Sequence, residues 1–262
     1  MSSPAVNLKK YSLRLKQFVL ILTFAFAASC GRSWQIKSAS GSQLPVTENA
    51  GAKATFENFI TPYREAIDRD MDKVLSYNPT TLDKTHGKWQ SALGNIMADA
   101  SLHKANEVLI KRGEKPADFA MLNFGGVRSI IPEGKVTVRN AFEVMPFENE
   151  IAVVALKGEQ VMELIRYFIA EKKAHPISGI YFEIRNGVAQ NIHIAGKPFW
   201  VDGTYRVVTS DYLIQGGDRM DFFTKGVSYT ELDYKLRNVL IDYFAEQDTL
   251  KADNQPRITE YE

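Results

Sequence analysis

The chain has 262 residues, 45% hydrophobic and 24% charged, with 32 Lys and Arg against 31 Asp and Glu for a formal net charge of +1. The first 29 residues hold four basic and no acidic side chains, so residues 30–262 carry −3 and lack the basic surplus that a nucleic-acid-binding face requires. Cys30 is the single cysteine, which excludes an internal disulfide.

The N-terminus reads as a targeting segment. Lys9, Lys10, Arg14 and Lys16 form a basic region, Phe18 to Ala28 an apolar run too short to span a membrane as a mature helix, and Ala27-Ala28-Ser29-Cys30 a small-residue cleavage site. This assigns residues 1–29 to a signal peptide. Cys30 then reads as a lipobox cysteine whose thiol carries lipid, although Ala27 stands where such boxes usually have Leu; plain cleavage near Ala27 is the alternative. Residues 30–53, with their Ser-, Gly- and Ala-rich stretch from Ser38 to Lys53, fit a flexible tether holding the protein to a bacterial envelope, on its periplasmic face. Residues 54–262 are long enough for one domain with its own core.

Within that domain, Phe59, Ile60, Tyr63, Ile67 and Met71 recur at helical spacing and predict a first helix over Phe56 to Met71. Val74 and Leu75 either continue it or begin a short strand through Tyr77. A loop with Asn78-Pro79 and His86-Gly87 leads to a second helix, from Leu93 through Leu109. Asp118 to Leu122 reads as a buried strand, Val136 to Val144 as a short helix, Ile151 to Leu156 as an alternating strand, and Gly158 to Ala170 as a third long helix with Val161, Leu164, Ile165 and Phe168 on one face. Asn186-Gly187 between two strand-like runs, Gly179 to Ile184 and Val188 to Ile194, predicts a hairpin. A strand over Tyr205 to Thr209 and a helix from Leu232 to Phe244 complete the reading. Helices and strands mix without strict alternation, which gives an α+β fold with mixed sheet and packed helices.

Two segments carry the functional signal, Asn123-Phe-Gly-Gly-Val-Arg128 and Asp211-Tyr-Leu-Ile-Gln-Gly-Gly-Asp218, each following a strand. Paired glycines there, Gly125-Gly126 and Gly216-Gly217, let backbone N–H groups approach a ligand. Arg128 offers a planar fork for phosphate, Asp218 a carboxylate for sugar hydroxyls, and Tyr212 a flat face for a base. Phe147 and Asn149, beside Pro146, supply a second ring and an amide. Taken singly, Phe147 also fits a core residue, and Asn149 and Asp218 turn residues. Together the set suits a nucleoside phosphate. His86, His103, His175 and His193 are scattered without an HExxH, DxH or His-Asp pairing, each fits a surface or satisfied histidine, and only His86 is singled out for attention. No catalytic or metal-ligating residue is assigned.

In this order, Leu93-Gly-Asn-Ile-Met-Ala-Asp-Ala100, Asn123 to Arg128, Met145-Pro-Phe-Glu-Asn149, Pro176-Ile-Ser-Gly-Ile180 and Asp211 to Asp218 resemble the C-terminal domain of the 5'-nucleotidase family, over roughly residues 55 to 245. The resemblance implies that Phe147 and Tyr212 sandwich the base, Asn123 and Asn149 bond base or ribose, Arg128 faces the phosphate, and Asp218 the ribose hydroxyls. Gly125, Gly126, Gly216 and Gly217 match the loop glycines. A metallophosphatase domain with two divalent metal ions cleaves the phosphate in that family, so cofactors are expected in a partner and not in this chain. Two departures stand out. Gly87 falls where the family often has a further arginine, and Tyr212 replaces a ring that is often Phe, adding a hydroxyl with a bearing on base preference. The expected function is nucleotide recognition in a split 5'-nucleotidase whose metallophosphatase is a separate chain. The alternatives are a solitary nucleoside- or nucleotide-binding lipoprotein and a remnant that binds nothing.

Overall fold

The computed structural model describes residues 8–27, 36, 38–45, 53–253 and 255–261. The N-terminal unit, residues 1–53, contains helix α1 (Leu8–Ala27), which includes the basic group and most of the apolar run. Of the cleavage site, Ala28, Ser29 and Cys30 lie outside the described residues. Residues 38–45 are exposed and take neither helix nor strand. Among the described residues no helix is long and apolar enough to cross a membrane.

The second unit, residues 54–262, opens with α2 (Ala54–Met71), the expected first helix, which buries none of its residues. The ambiguous stretch after it is a strand, β1 (Val74–Asn78). Helix α3 (Ala92–Lys111) starts where Ser91, in extended conformation, accepts a hydrogen bond from the Gly94 N–H at 3.1 Å, the standard side-chain cap for an otherwise unpaired donor. Strand β2 (Phe119–Met121) follows, then β3 (Gly134–Thr137) and α4 (Val138–Val144). Val136 therefore belongs to a strand paired with β1, and the short helix begins two residues later than its sequence suggests. Thr137 and Asn140 bond reciprocally at that junction, which starts the helix at Val138.

Strand β4 (Glu150–Lys157) runs directly into α5 (Gly158–Glu171). After β5 (Ile177–Ser178) comes the expected hairpin, β6 (Ile180–Arg185) and β7 (Val188–Ile194), whose turn residues Asn186 and Gly187 both have positive φ, 50° and 74°. Next are β8 (Lys197–Pro198), β9 (Thr204–Ser210), the single-turn α6 (Asp211–Ile214), β10 (Ser228–Lys235), α7 (Leu236–Ala245) and β11 (Ile258–Tyr261). The expected helix from Leu232 is thus a strand up to Lys235. Leu232 and Leu236 share one core at a spacing of four, which imitates a helix, while β10 instead bulges at Leu232-Asp233 and covers an edge of β4.

Five strands form the central sheet in the order β10-β4-β9-β2-β5, with β2 and β9 parallel and the other pairs antiparallel. A second sheet, β11-β6-β7-β8, has a parallel β11–β6 pair, and β1-β3 makes a small third. The mixed α+β class is as expected. In the central sheet Val153 and Val208 pack with Leu93, Ile96 and Met97 of α3 and Val239 and Leu240 of α7. Their neighbours Val154 and Val207 pack on the other side with Val161, Leu164 and Phe168 of α5. Burial on both faces is why these strands read as near-continuous apolar runs. Arg257, 2% exposed, bonds to Asp99 of α3 at 2.6 Å and to the Ile177 carbonyl, so the C-terminal segment is tied across α3 to β5.

Candidate functional site

The ends of β2, α4 and β9 deliver three loops to one rim, where they enclose a cavity of about 320 Å³. Eight of the ten residues chosen from sequence line it: Asn123, Gly125, Gly126, Arg128, Phe147, Asn149, Tyr212 and Asp218. Met145, Ser210 and Leu236 complete the lining; sequence reading missed them because each looks like an ordinary framework residue. Gly216 and Gly217 do not line the cavity. They shape the loop beneath it: a Cβ on Gly217 would lie 2.4 Å from a Tyr212 ring carbon, so only glycine lets that ring lie down on the backbone. Gly126 plays the matching part in the first loop, where a Cβ would come within 2.8 Å of Asn123 Oδ1.

Phe147 and Tyr212 are 40% and 44% exposed, unusually open for large rings, and both present area to the cavity. The Arg128 guanidinium sits 5.7 Å from the Phe147 ring centroid, and among the described residues no carboxylate lies within ion-pair distance of it. Its backbone N–H donates to the Val144 carbonyl at 2.9 Å, which fixes where the side chain emerges. Asn149 donates through Nδ2 to Asp211 Oδ1 at 3.0 Å, leaving Oδ1 as its acceptor towards a ligand. Asn123 Nδ2 donates to Asp218 Oδ2 at 2.7 Å, and the Tyr212 hydroxyl donates to Asp218 Oδ1 at 2.9 Å. That second bond raises the Tyr212 pKa, since ionising the phenol beside a carboxylate forfeits it.

Two supports were not assigned from the sequence. Lys84 lies 4.4 Å over the Phe124 ring and donates to the carbonyl of Val127 at 2.5 Å. Burial, and then the nearby Arg128, lower its pKa. A second cation therefore stands under the loop although Gly87 has no guanidinium to give. His175, expected as a surface or satisfied histidine, is 2% exposed and accepts the Phe124 N–H through Nδ1 at 3.1 Å. The ring proton must then sit on Nε2, which has no hydrogen-bond partner among the described residues. Burial holds the His175 pKa down at about 4. The one hint in the sequence was its place directly before the Pro176 to Ile180 motif.

His86 does not join the cavity. It pairs with Asp83, a His–Asp contact that the sequence reading did not expect, in a separate open depression near the start of α3. Asp83 is held at a pKa of about 2, chiefly by the His86 backbone N–H. Among the described residues the one grouping of potential metal ligands is His103, Glu107 and Glu246, and the Lys104 ammonium bonds to both glutamates. A cation already occupying those carboxylates does not fit the two-metal centre implied by the resemblance.

The family model for the 5'-nucleotidase C-terminal domain matches residues 73–225, more than half of the chain and all of the lining except Leu236. The chain belongs to the 5'-nucleotidase C-terminal domain family. A 5'-nucleotidase of Vibrio cholerae serotype O1 is 30% identical over 193 residues, 71% of this chain and 33% of that protein. The trifunctional nucleotide phosphoesterase protein YfkN of Bacillus subtilis is 26% identical over 233 residues, 79% of this chain and 15% of that one. Among solved structures, the 5'-nucleotidase precursor of Thermus thermophilus superposes with a TM-score of 0.65 at 23% identity, covering 81% of this chain and 44% of its own. That likeness establishes the fold. The 5'-nucleotidase C-terminal domain described here spans about a third or less of the length of these curated relatives.

Proposed function

We propose that this chain holds the nucleoside of a nucleotide for a 5'-nucleotidase reaction whose metallophosphatase is a separate chain. The observation that carries the reading is the convergence of Phe147, Tyr212, Asn149, Asp218 and Arg128, drawn from three separate loops, on one cavity. Two rings stack on a base, an amide reads its edge, a carboxylate accepts from sugar hydroxyls, and a guanidinium with no acidic partner among the described residues receives the phosphate. These groups hold and orient. In this reading the divalent ions and the activated water are supplied by the partner chain.

Selectivity tests the assignment. Arg128→Ala is expected to reduce the preference for AMP over adenosine by about ten-fold or more, the size of a lost charge-assisted hydrogen bond. Asp218→Asn is expected to narrow the preference for adenosine over 2'-deoxyadenosine by about the same factor, because Asn keeps the left-handed backbone and loses the charge. Titration calorimetry on the purified chain reads both. Equal losses for all ligands in both variants contradict these roles. Release of phosphate from AMP by the chain alone with zinc, manganese or magnesium, abolished by Arg128→Ala, contradicts the division of labour. Binding that no metallophosphatase converts into hydrolysis favours a solitary binding lipoprotein.

The envelope assignment rests on the N-terminal sequence. Cys30 is proposed as the lipidated mature N-terminus, so Cys30→Ser is expected to move the protein from the membrane fraction to the soluble fraction. A variant that still sediments with membranes like the wild type overturns the anchor.

A further inference from the structure

Asp218 stands in the left-handed region, φ 53° and ψ 25°, and so does Arg219 after it, at φ 59°. A non-glycine residue held there stores strain and persists only where its surroundings over-determine it. Four hydrogen bonds do so. Asn123 Nδ2 donates to one carboxylate oxygen and the Tyr212 hydroxyl to the other. The Asp218 N–H donates to the Tyr212 oxygen at 3.2 Å, and the Tyr167 hydroxyl donates to the Asp218 carbonyl at 2.9 Å. Tyr167 approaches from the far side, where Asp218 also walls a neighbouring cavity of about 310 Å³ shared with His175 and Arg219. The Tyr167 ring is itself held edge-on against Phe222 and tilted against His175.

We infer that the hydroxyls of Tyr212 and Tyr167 are sugar-selectivity devices, which aim the Asp218 carboxylate at the two adjacent hydroxyls of a ribose. This deepens the proposed function and rests on it. An ionised carboxylate has about four acceptor positions, and Asn123 and Tyr212 occupy one on each oxygen, which leaves one on each oxygen for a cis-diol. The Tyr212 hydroxyl is committed to Asp218 at both its donor and an acceptor position, so its effect falls on the sugar and not on the base. Tyr212 joins stacking face and sugar contact in one residue, where a phenylalanine supplies stacking alone. Tyr167 acts only through the Asp218 backbone and is a positioning residue.

The test is calorimetric titration of the purified full-length chain and its Tyr212→Phe and Tyr167→Phe variants with adenosine, 2'-deoxyadenosine, guanosine and cytidine. Each variant is expected to lower the ratio of adenosine to 2'-deoxyadenosine affinity by about three- to ten-fold, the value of one or two hydrogen bonds, with the order of the three bases kept. A ratio unchanged in both variants, or a reordering of bases in Tyr212→Phe, overturns the inference while leaving nucleoside binding intact. A wild-type chain that binds none of the four overturns the functional reading and this inference with it.

Discussion

The double variant Phe147→Ala, Tyr212→Ala is expected to abolish measurable nucleoside binding while the domain stays folded. Base–aromatic stacking is worth roughly 1 to 3 kcal/mol per ring, so each single change is expected to weaken adenosine or AMP binding by about five-fold to a hundred-fold. Both rings are open to the cavity and neither belongs to the two buried cores, so their loss leaves little packing to collapse. Tyr212→Ala also removes the hydroxyl from Asp218 and therefore falls at the heavier end of the range. Calorimetry measures the affinity and thermal unfolding confirms the fold. Unchanged affinity in a folded double variant excludes the sandwich.

Acid is expected to weaken the fold by about 3 kcal/mol through His175 alone. Its pKa is about 4 in the folded protein against an ordinary value of 6.5, mainly through burial, with the positive Lys173 adding to the shift and Glu171 and Asp218 opposing it. Above pH 6.5 the ring is neutral folded and unfolded, and contributes no pH dependence. As pH falls from 6.5 to 4 the unfolded chain gains a proton that the native state refuses, so stability drops by about 1.4 kcal/mol per pH unit. Protonation of Nδ1 also breaks the bond to the Phe124 N–H, so the Asn123–Arg128 loop loses this tie as the fold weakens. His175→Asn, which can place an acceptor near the same N–H, is expected to lack this slope. Urea unfolding at pH 7 and pH 4.5 makes the comparison, and equal pH dependence in variant and wild type refutes it.

Much of the fold was legible because its signals are local. The α3 and α5 periodicities, the Asn186-Gly187 turn and the two Gly-Gly loops each declare themselves within about a dozen residues. The cavity lining was legible through motif chemistry, since rings, amides, a carboxylate and a guanidinium keep their character wherever they sit. What escaped reading depends on distant partners. β5 and β8 have two residues each and exist only as sheet neighbours of other strands. β10 is a strand because β4 has an edge to cover, although its Leu232 to Leu236 spacing speaks for a helix. Lys84, Tyr167 and His175 act by bonding to loop backbone 43 to 51 positions away, contacts that no local pattern encodes.

The recognisable part of the sequence, residues 73–225, is shorter than the part that must fold together. A fragment ending at residue 225 would bare one whole edge of β4, an unpaired apolar strand of the kind that recruits other chains into aggregates. It would also lose Leu236 from the cavity wall, together with the Leu236 N–H that donates to the Asn149 carbonyl at 2.9 Å. Strand β10 and the start of α7, both beyond that match, thus act as a clasp, closing the sheet from outside while finishing the pocket from within.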